Sequence, residues 1–135
     1  MTAQQELLTP ELHAPSGALP IGSGWQEVPG SADIVFPFDG AVIAQAPEST
    51  AEDSRTALDA AEAARREVAN LTTAERKSIL TAIYDKLRGD AQRIEDILVL
   101  ETGKPRVDCR VEVNRTLVTL QATIEETSHI HGETV

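Results

Sequence analysis

Cys109 is the only thiol in this 135-residue chain, and a thiol is the side chain best suited to attack an electrophilic carbon. It lies between Asp108 and Arg110 in a stretch of helical pattern, without a glycine-rich turn to expose it, and His13, His129 and His131 are distant in sequence. A useful thiolate needs a nearby base or a positive field, so the sequence predicts an inert structural cysteine. A single cysteine also excludes an intrachain disulfide and a multi-cysteine zinc centre, which suits a reducing compartment. On a helix, His129 and His131 would point roughly 200° apart and could not share a metal. Glu125 and Glu126 are adjacent and face apart, which reads as solvated surface rather than an acid–base pair. Gly22-Ser23-Gly24 lacks the spacing of a phosphate loop and reads as a bend.

Two charged residues say more. Arg115 carries a permanent charge and a fork of donors matched to carboxylate or phosphate, although an intrahelical pair with Glu112, three residues earlier, or a solvent-facing charge is the simpler reading. Glu101 falls near the end of a helical segment, where a carboxylate opposes the helix dipole and favours a cationic partner.

Positioning these residues falls to a hairpin and a run of helices. Residues 1–30 hold four of the seven prolines and four of the eight glycines, which predicts an extended, flexible arm. Within it, residues 18–28 have room for one short ribbon strand, with Gly22 and Gly24 at a tight bend and Trp25 as an anchor. Ile34-Val35-Phe36 and residues 41–46 are β-rich runs flanking Pro37-Phe38-Asp39-Gly40, a hairpin signal. Pro37 lacks a ladder donor, so that edge is expected to face away from further pairing.

From Thr50 the period becomes helical. Thr50 with Asp53 starts a first helix, whose stripe is Ala57, Ala61, Ala64, Val68 and Leu71. Thr72 with Glu75 is a capping box for a second helix, striped by Ile79, Ile83 and Leu87 and closed by Gly89. Asp90 caps a third, with Ile94, Ile97 and Leu98 on one side and Gly103 as its left-handed end. Pro105 opens a fourth helix, expected to run to Gly132 with Val113, Leu117, Leu120 and Ile124 aligned.

The formal charge of -10 is uneven: the first 53 residues carry eight acids and no Lys or Arg. An acidic chain with one Trp, one Tyr and two Phe lacks the basic stripes and aromatic platforms of nucleic-acid readers. No apolar run approaches the roughly 18 residues needed to span a bilayer, and the first residues have no signal-peptide pattern. A cytoplasmic protein, without nucleic-acid or membrane partners, is the expectation.

Taken in order, IVFPFDGAVIAQAP, DSRTALDAAEAARREV, AERKSIL, ETGKP, EVNR and HGETV resemble the N-terminal portion of the aldehyde dehydrogenase superfamily over residues 34–135. The resemblance implies an α/β family fold, of which this chain would be a mostly α fragment: a flexible arm at 1–30, then a hairpin and about four helices at 31–135 belonging to the cofactor domain. It implies NAD(P)-dependent oxidation of an aldehyde to a carboxylic acid, in which a cysteine thiolate attacks the aldehyde, hydride passes to NAD or NADP, and a glutamate activates the releasing water. None of those roles maps onto a residue here, Cys109 included, so no catalytic or cofactor-binding residue is assigned and the chain is not expected to turn over alone.

Two positions do carry over. Glu101 stands where relatives hold a monovalent cation, together with a backbone carbonyl at the position of Ile34; oxygen ligands suit a hard cation. Arg115 stands where branches acting on phosphorylated or phosphonate aldehydes bind the anionic tail. Phe36 replaces the asparagine usual before Pro37. The implied partners are a small-molecule aldehyde, anionic if Arg115 has that role, and the remaining enzyme domains or further copies of the chain. The rival expectation is a free-standing helical interaction module without enzymatic activity.

Overall fold

The structure is a computed structural model in which residues 17–130 are described. These residues contain four strands, four α-helices and one 3-10 turn. Strands β1 (Ala18–Ile21) and β2 (Gly24–Glu27) form an antiparallel ribbon, so the stretch expected to hold one strand holds two. Gly22, at a φ of 64°, makes the bend between them. The part of the 1–30 arm before Gly17 lies outside the described residues.

Strands β3 (Gly30–Val35) and β4 (Val42–Glu48) form the expected hairpin, longer at its open end than the apolar runs indicate. Phe36 N–H donates to the Ala41 carbonyl at 2.8 Å, and Gly40 N–H donates to the Phe36 carbonyl at 2.9 Å. Asp39 accepts the Ala41 N–H at 3.0 Å, the local bond that makes Asp a turn former. Pro37 therefore sits in the turn rather than on the strand. Pairing is regular up to Ile34 with Ala44, then slips, with Val35 opposite Val42; one residue of β4 is left over as a bulge.

Helix α1 (Ala51–Ala69) begins at the predicted Thr50: Asp53 accepts from Thr50 N–H at 2.8 Å and from its hydroxyl at 2.7 Å. Helix α2 (Thr73–Gly89) repeats that geometry, with Glu75 accepting from Thr72 N–H at 2.8 Å and from its hydroxyl at 2.7 Å. Each box satisfies N-terminal donors that the helix itself cannot. The closing glycine falls where it was expected. Gly89 is the last helical residue of α2, and Asp90 follows as the cap, its N–H donating to the Lys86 carbonyl at 3.1 Å. Helix α3 (Ala91–Thr102) does end at Gly103 with a φ of 68°. Helix α4 (Arg106–Glu126) starts after Pro105 and ends earlier than Gly132, passing into a 3-10 turn at Thr127–His129. Gly132 and His131 lie outside the described residues.

The described residues divide into two compact units. One takes in the strands and α1, together with Leu100–Gly103; the other takes in Asn70–Val99 and the residues from Lys104 onward. In the first, a Cβ at Gly22 would stand 3.5 Å from the Ala60 Cβ, so the ribbon bend sits on a small residue of α1. No residue of α1 is buried, and the predicted stripe is only half-covered at Ala57 while Ala61, Ala64 and Val68 are exposed.

In the second unit α2 packs on α4 and on the 3-10 turn. The face of α2 turned inward is Leu80, Tyr84 and Leu87, whereas Ile79 and Ile83, expected inside, are exposed. The helix is apolar on two adjacent flanks, and only one can meet α4. On α4 the expected stripe is correct: Val113 is buried and Leu117, Leu120 and Ile124 are half-buried.

Candidate functional site

In the second unit, Lys104, Pro105 and the first half of α4 carry Glu112 and Arg115. Lys104 Nζ donates to Glu112 Oε1 at 2.6 Å, which joins the two motifs that sequence found separately. The hydrogen bond and charge of Lys104 pull the Glu112 carboxyl below the ordinary carboxylate range, with the nearby Arg115 charge adding a smaller contribution. Hydrogen bonding to Glu112 pushes Lys104 above its usual value in return.

Of the two plain readings of Arg115, the pair with Glu112 is not made, because Lys104 takes that carboxylate, and the solvent-facing charge is what the structure shows. The Arg115 side chain is exposed and makes no hydrogen bond or ion pair among the described residues. Its backbone carbonyl still accepts the Thr119 hydroxyl at 2.9 Å. Three more threonine bonds to the carbonyl four residues back run along α4 and just past its end: Thr116 to Glu112, Thr123 to Thr119 and Thr127 to Thr123.

Two further pairs, missed by sequence, brace the same corner. Arg110 Nε donates to Glu95 Oε2 at 3.3 Å, and Arg106 pairs with Asp96. The signal was present, since acids in α3 face bases in α4 across a short turn that makes neighbours of consecutive helices. Glu95 is buried, where a carboxylate needs a partner. Cys109 is enclosed here at 0% exposure, its sulfur 3.9 Å from the Lys104 carbonyl, in keeping with an inert thiol.

Sequence also missed a second apolar stripe on α4. Val107, Val111 and Val118 are 65%, 62% and 67% exposed. At 100° per residue they lie within about 40° of one another, and Arg115 follows about 60° further round the helix. A helix that is apolar on a face its own unit leaves uncovered is shaped to meet something else.

Glu101 and Ile34 belong to the first unit. Glu101 is exposed in the last turn of α3, and Ile34 is the residue at which the β3–β4 ladder slips. Two residues beyond Glu101, a Cβ on Gly103 would stand 3.4 Å from Pro37 Cβ, so the helix end abuts the hairpin turn. Among the described residues no group of three or more His, Cys, Asp or Glu is arranged to hold a metal ion. The Gly22–Gly24 stretch is the ribbon bend it was expected to be. No helix among the described residues is long and apolar enough to cross a membrane.

The aldehyde dehydrogenase family model matches residues 25–135. The chain is 37% identical over 103 residues to the lactaldehyde dehydrogenase of Escherichia coli, covering 76% of this chain and 22% of that protein. An aldehyde dehydrogenase of Physcomitrella patens, solved in complex with the reaction product succinate, superposes with a TM-score of 0.83 at 32% identity, covering 87% of this chain and 25% of the other. An aldehyde dehydrogenase of Brucella melitensis biovar abortus superposes with a TM-score of 0.86 at 27% identity over 100% of this chain and 27% of its own. This chain belongs to the aldehyde dehydrogenase family, and it spans about a fifth of the length of the curated relatives it matches. Its two small antiparallel sheets and four helices are a mostly helical portion of that α/β fold.

Proposed function

We propose that this chain is the N-terminal segment of a cytoplasmic NAD(P)-dependent aldehyde dehydrogenase, which oxidises an aldehyde to a carboxylic acid, and that it does not turn over alone. Residues 31–135 are assigned to the cofactor domain and residues 1–30 to an arm preceding it. NAD or NADP is held mainly by protein outside this chain, because the only closely spaced glycines here form a ribbon bend and supply no phosphate cradle. The partners are that remaining protein, in the same chain or in further copies, and a small aldehyde.

The observation that carries the substrate reading is the uncovered face of α4. Val107, Val111 and Val118 offer apolar surface, and Arg115 beside them offers a guanidinium whose nearest carboxylate on the helix is already held by Lys104. That pairing of an oily strip with one unengaged cation suits an aldehyde ending in an anion. The succinate with which the Physcomitrella relative was solved is a reaction product that keeps a second carboxylate at its far end, as the product of such an aldehyde would.

Glu101 and the Ile34 carbonyl are proposed as oxygen ligands of a monovalent cation. Support comes from the ladder slip at Ile34, which loosens strand pairing there, and from the dipole-opposed carboxylate of Glu101. Both are hard donors, as such an ion requires.

Incubating the 135-residue chain with NAD or NADP and assorted aldehydes is expected to give no reduced cofactor. Robust turnover would refute the proposal that the chemistry lies elsewhere. In the full-length enzyme, Arg115→Leu is expected to raise the KM for a carboxylate- or phosphate-ended aldehyde about 10- to 100-fold more than for a neutral one, the scale of a lost charge-assisted hydrogen bond. Equal effects on both substrates would remove the anion-binding role.

A further inference from the structure

We propose that Lys104 is a positioning residue for Arg115: by holding the Glu112 carboxylate, it keeps the Arg115 guanidinium open to the anionic end of a substrate. The inference rests on the reading of Arg115 given above and goes beyond it to a second residue.

Three residues on one helix turn are neighbours, so Glu112 and Arg115 are within reach of an intrahelical pair. Such a pair would spend the guanidinium's donors on the protein. Side chains on a helix lean toward its N-terminus, and Lys104 lies on that side of Glu112, ahead of the first turn of α4. The 2.6 Å contact therefore draws the carboxylate away from Arg115, which follows three residues later.

The lysine is well placed to keep this hold. Its backbone runs between Gly103, in the left-handed region at 68°, and Pro105, whose ring fixes φ at -56°. Its carbonyl faces the buried Cys109 sulfur. The lysine charge thus has two consequences: it neutralises Glu112 and it leaves a second cation unspent.

The test uses the full-length dehydrogenase carrying this segment, with KM measured for an aldehyde ending in a carboxylate and for a neutral one of equal length. Lys104→Met is expected to raise the ratio of the two constants about 1.4- to 2.3-fold, the scale of an i,i+3 ion pair competing for the guanidinium. Adding Glu112→Gln to that variant is expected to restore the native ratio, and Lys104→Arg to keep it. Glu112→Gln alone, which leaves the turn's glycine and proline in place, is expected to give a ratio at or below the native one.

An unchanged ratio in Lys104→Met, with Arg115→Leu still selective, would overturn the role of Lys104 and leave Arg115 standing. A ratio indifferent to Arg115→Leu would overturn both. Equal losses for both aldehydes in Lys104→Met, or failure of Glu112→Gln to rescue it, would make Lys104 a structural residue and sink the proposal. Should Lys104→Met fail to fold, a raised ratio in Glu112→Gln alone would have the same result.

Discussion

Gly103 holds a left-handed φ of 68°, which is what favours glycine there, since a Cβ would stand 3.4 Å from Pro37 Cβ, at the edge of ordinary contact. Gly103→Ala is therefore expected to lower stability by about 1–2 kcal/mol, read as a shifted denaturant midpoint at unchanged m-value. A neutral result would mean the turn relaxes freely. Cys109 invites a different measurement. With no exposed surface, its thiol should resist an aromatic disulfide reagent in the native chain and react at once in denaturant. Rapid native labelling would show that the α3–α4 corner opens. Both residues were legible beforehand, since a glycine after a helix and a cysteine without an exposing turn have local signatures. Arg115 was different: its freedom depends on where Lys104 reaches, eight residues before Glu112, and no local pattern reports that.

The two capping boxes and the Lys104–Glu112 pair make acid the natural probe of the helices. Hydrogen bonds from Thr50, Thr72 and Lys104 hold the carboxyls of Asp53, Glu75 and Glu112, respectively, below the ordinary carboxylate range. Groups whose folded pKa is depressed stabilise fully above the unfolded value and lose that contribution as pH falls through the folded one. Helical circular dichroism is thus expected to hold from pH 7 to about 5 and to decline below about 4, with a shallower decline in Glu75→Gln. The raised Lys104 pKa acts in the opposite direction: its contribution is present below 10.5 and is lost as pH rises past the folded value. A helical signal flat down to pH 2 would show these contacts to be irrelevant to folding. Helix existence, the N-terminal caps and the left-handed end at Gly103 were legible because they depend on residues three or four apart. The inward face of α2 was not, because Ile79–Ile83 and Leu80–Tyr84 are equally good local stripes and only the partner helix decides between them. The bulge beside Ile34 was equally hidden, since slippage is a property of two strands together.

Across the whole molecule, much large apolar surface is left uncovered, from Phe38 at 87% exposure in the hairpin turn to the α4 valines. Such surface draws copies together at working concentrations, so sedimentation of the isolated 135-residue chain is expected to show concentration-dependent association and binding of an apolar dye. A monomer that melts cooperatively and ignores the dye would favour a free-standing interaction module. Family and fold were legible from the order of short motifs, each uninformative by itself. The extent of uncovered surface was not, because how much of an apolar face stays exposed depends on packing between elements distant in sequence, and the second stripe of α4 went unread.

The three threonines of α4 turn their hydroxyls onto their own backbone, as Thr116 does to the Glu112 carbonyl at 3.0 Å. What each then shows to its surroundings is a methyl group. The helix is consequently greasier than its letters suggest, and hydropathy scales that rate threonine by its oxygen will undercount how tightly another surface can close over it.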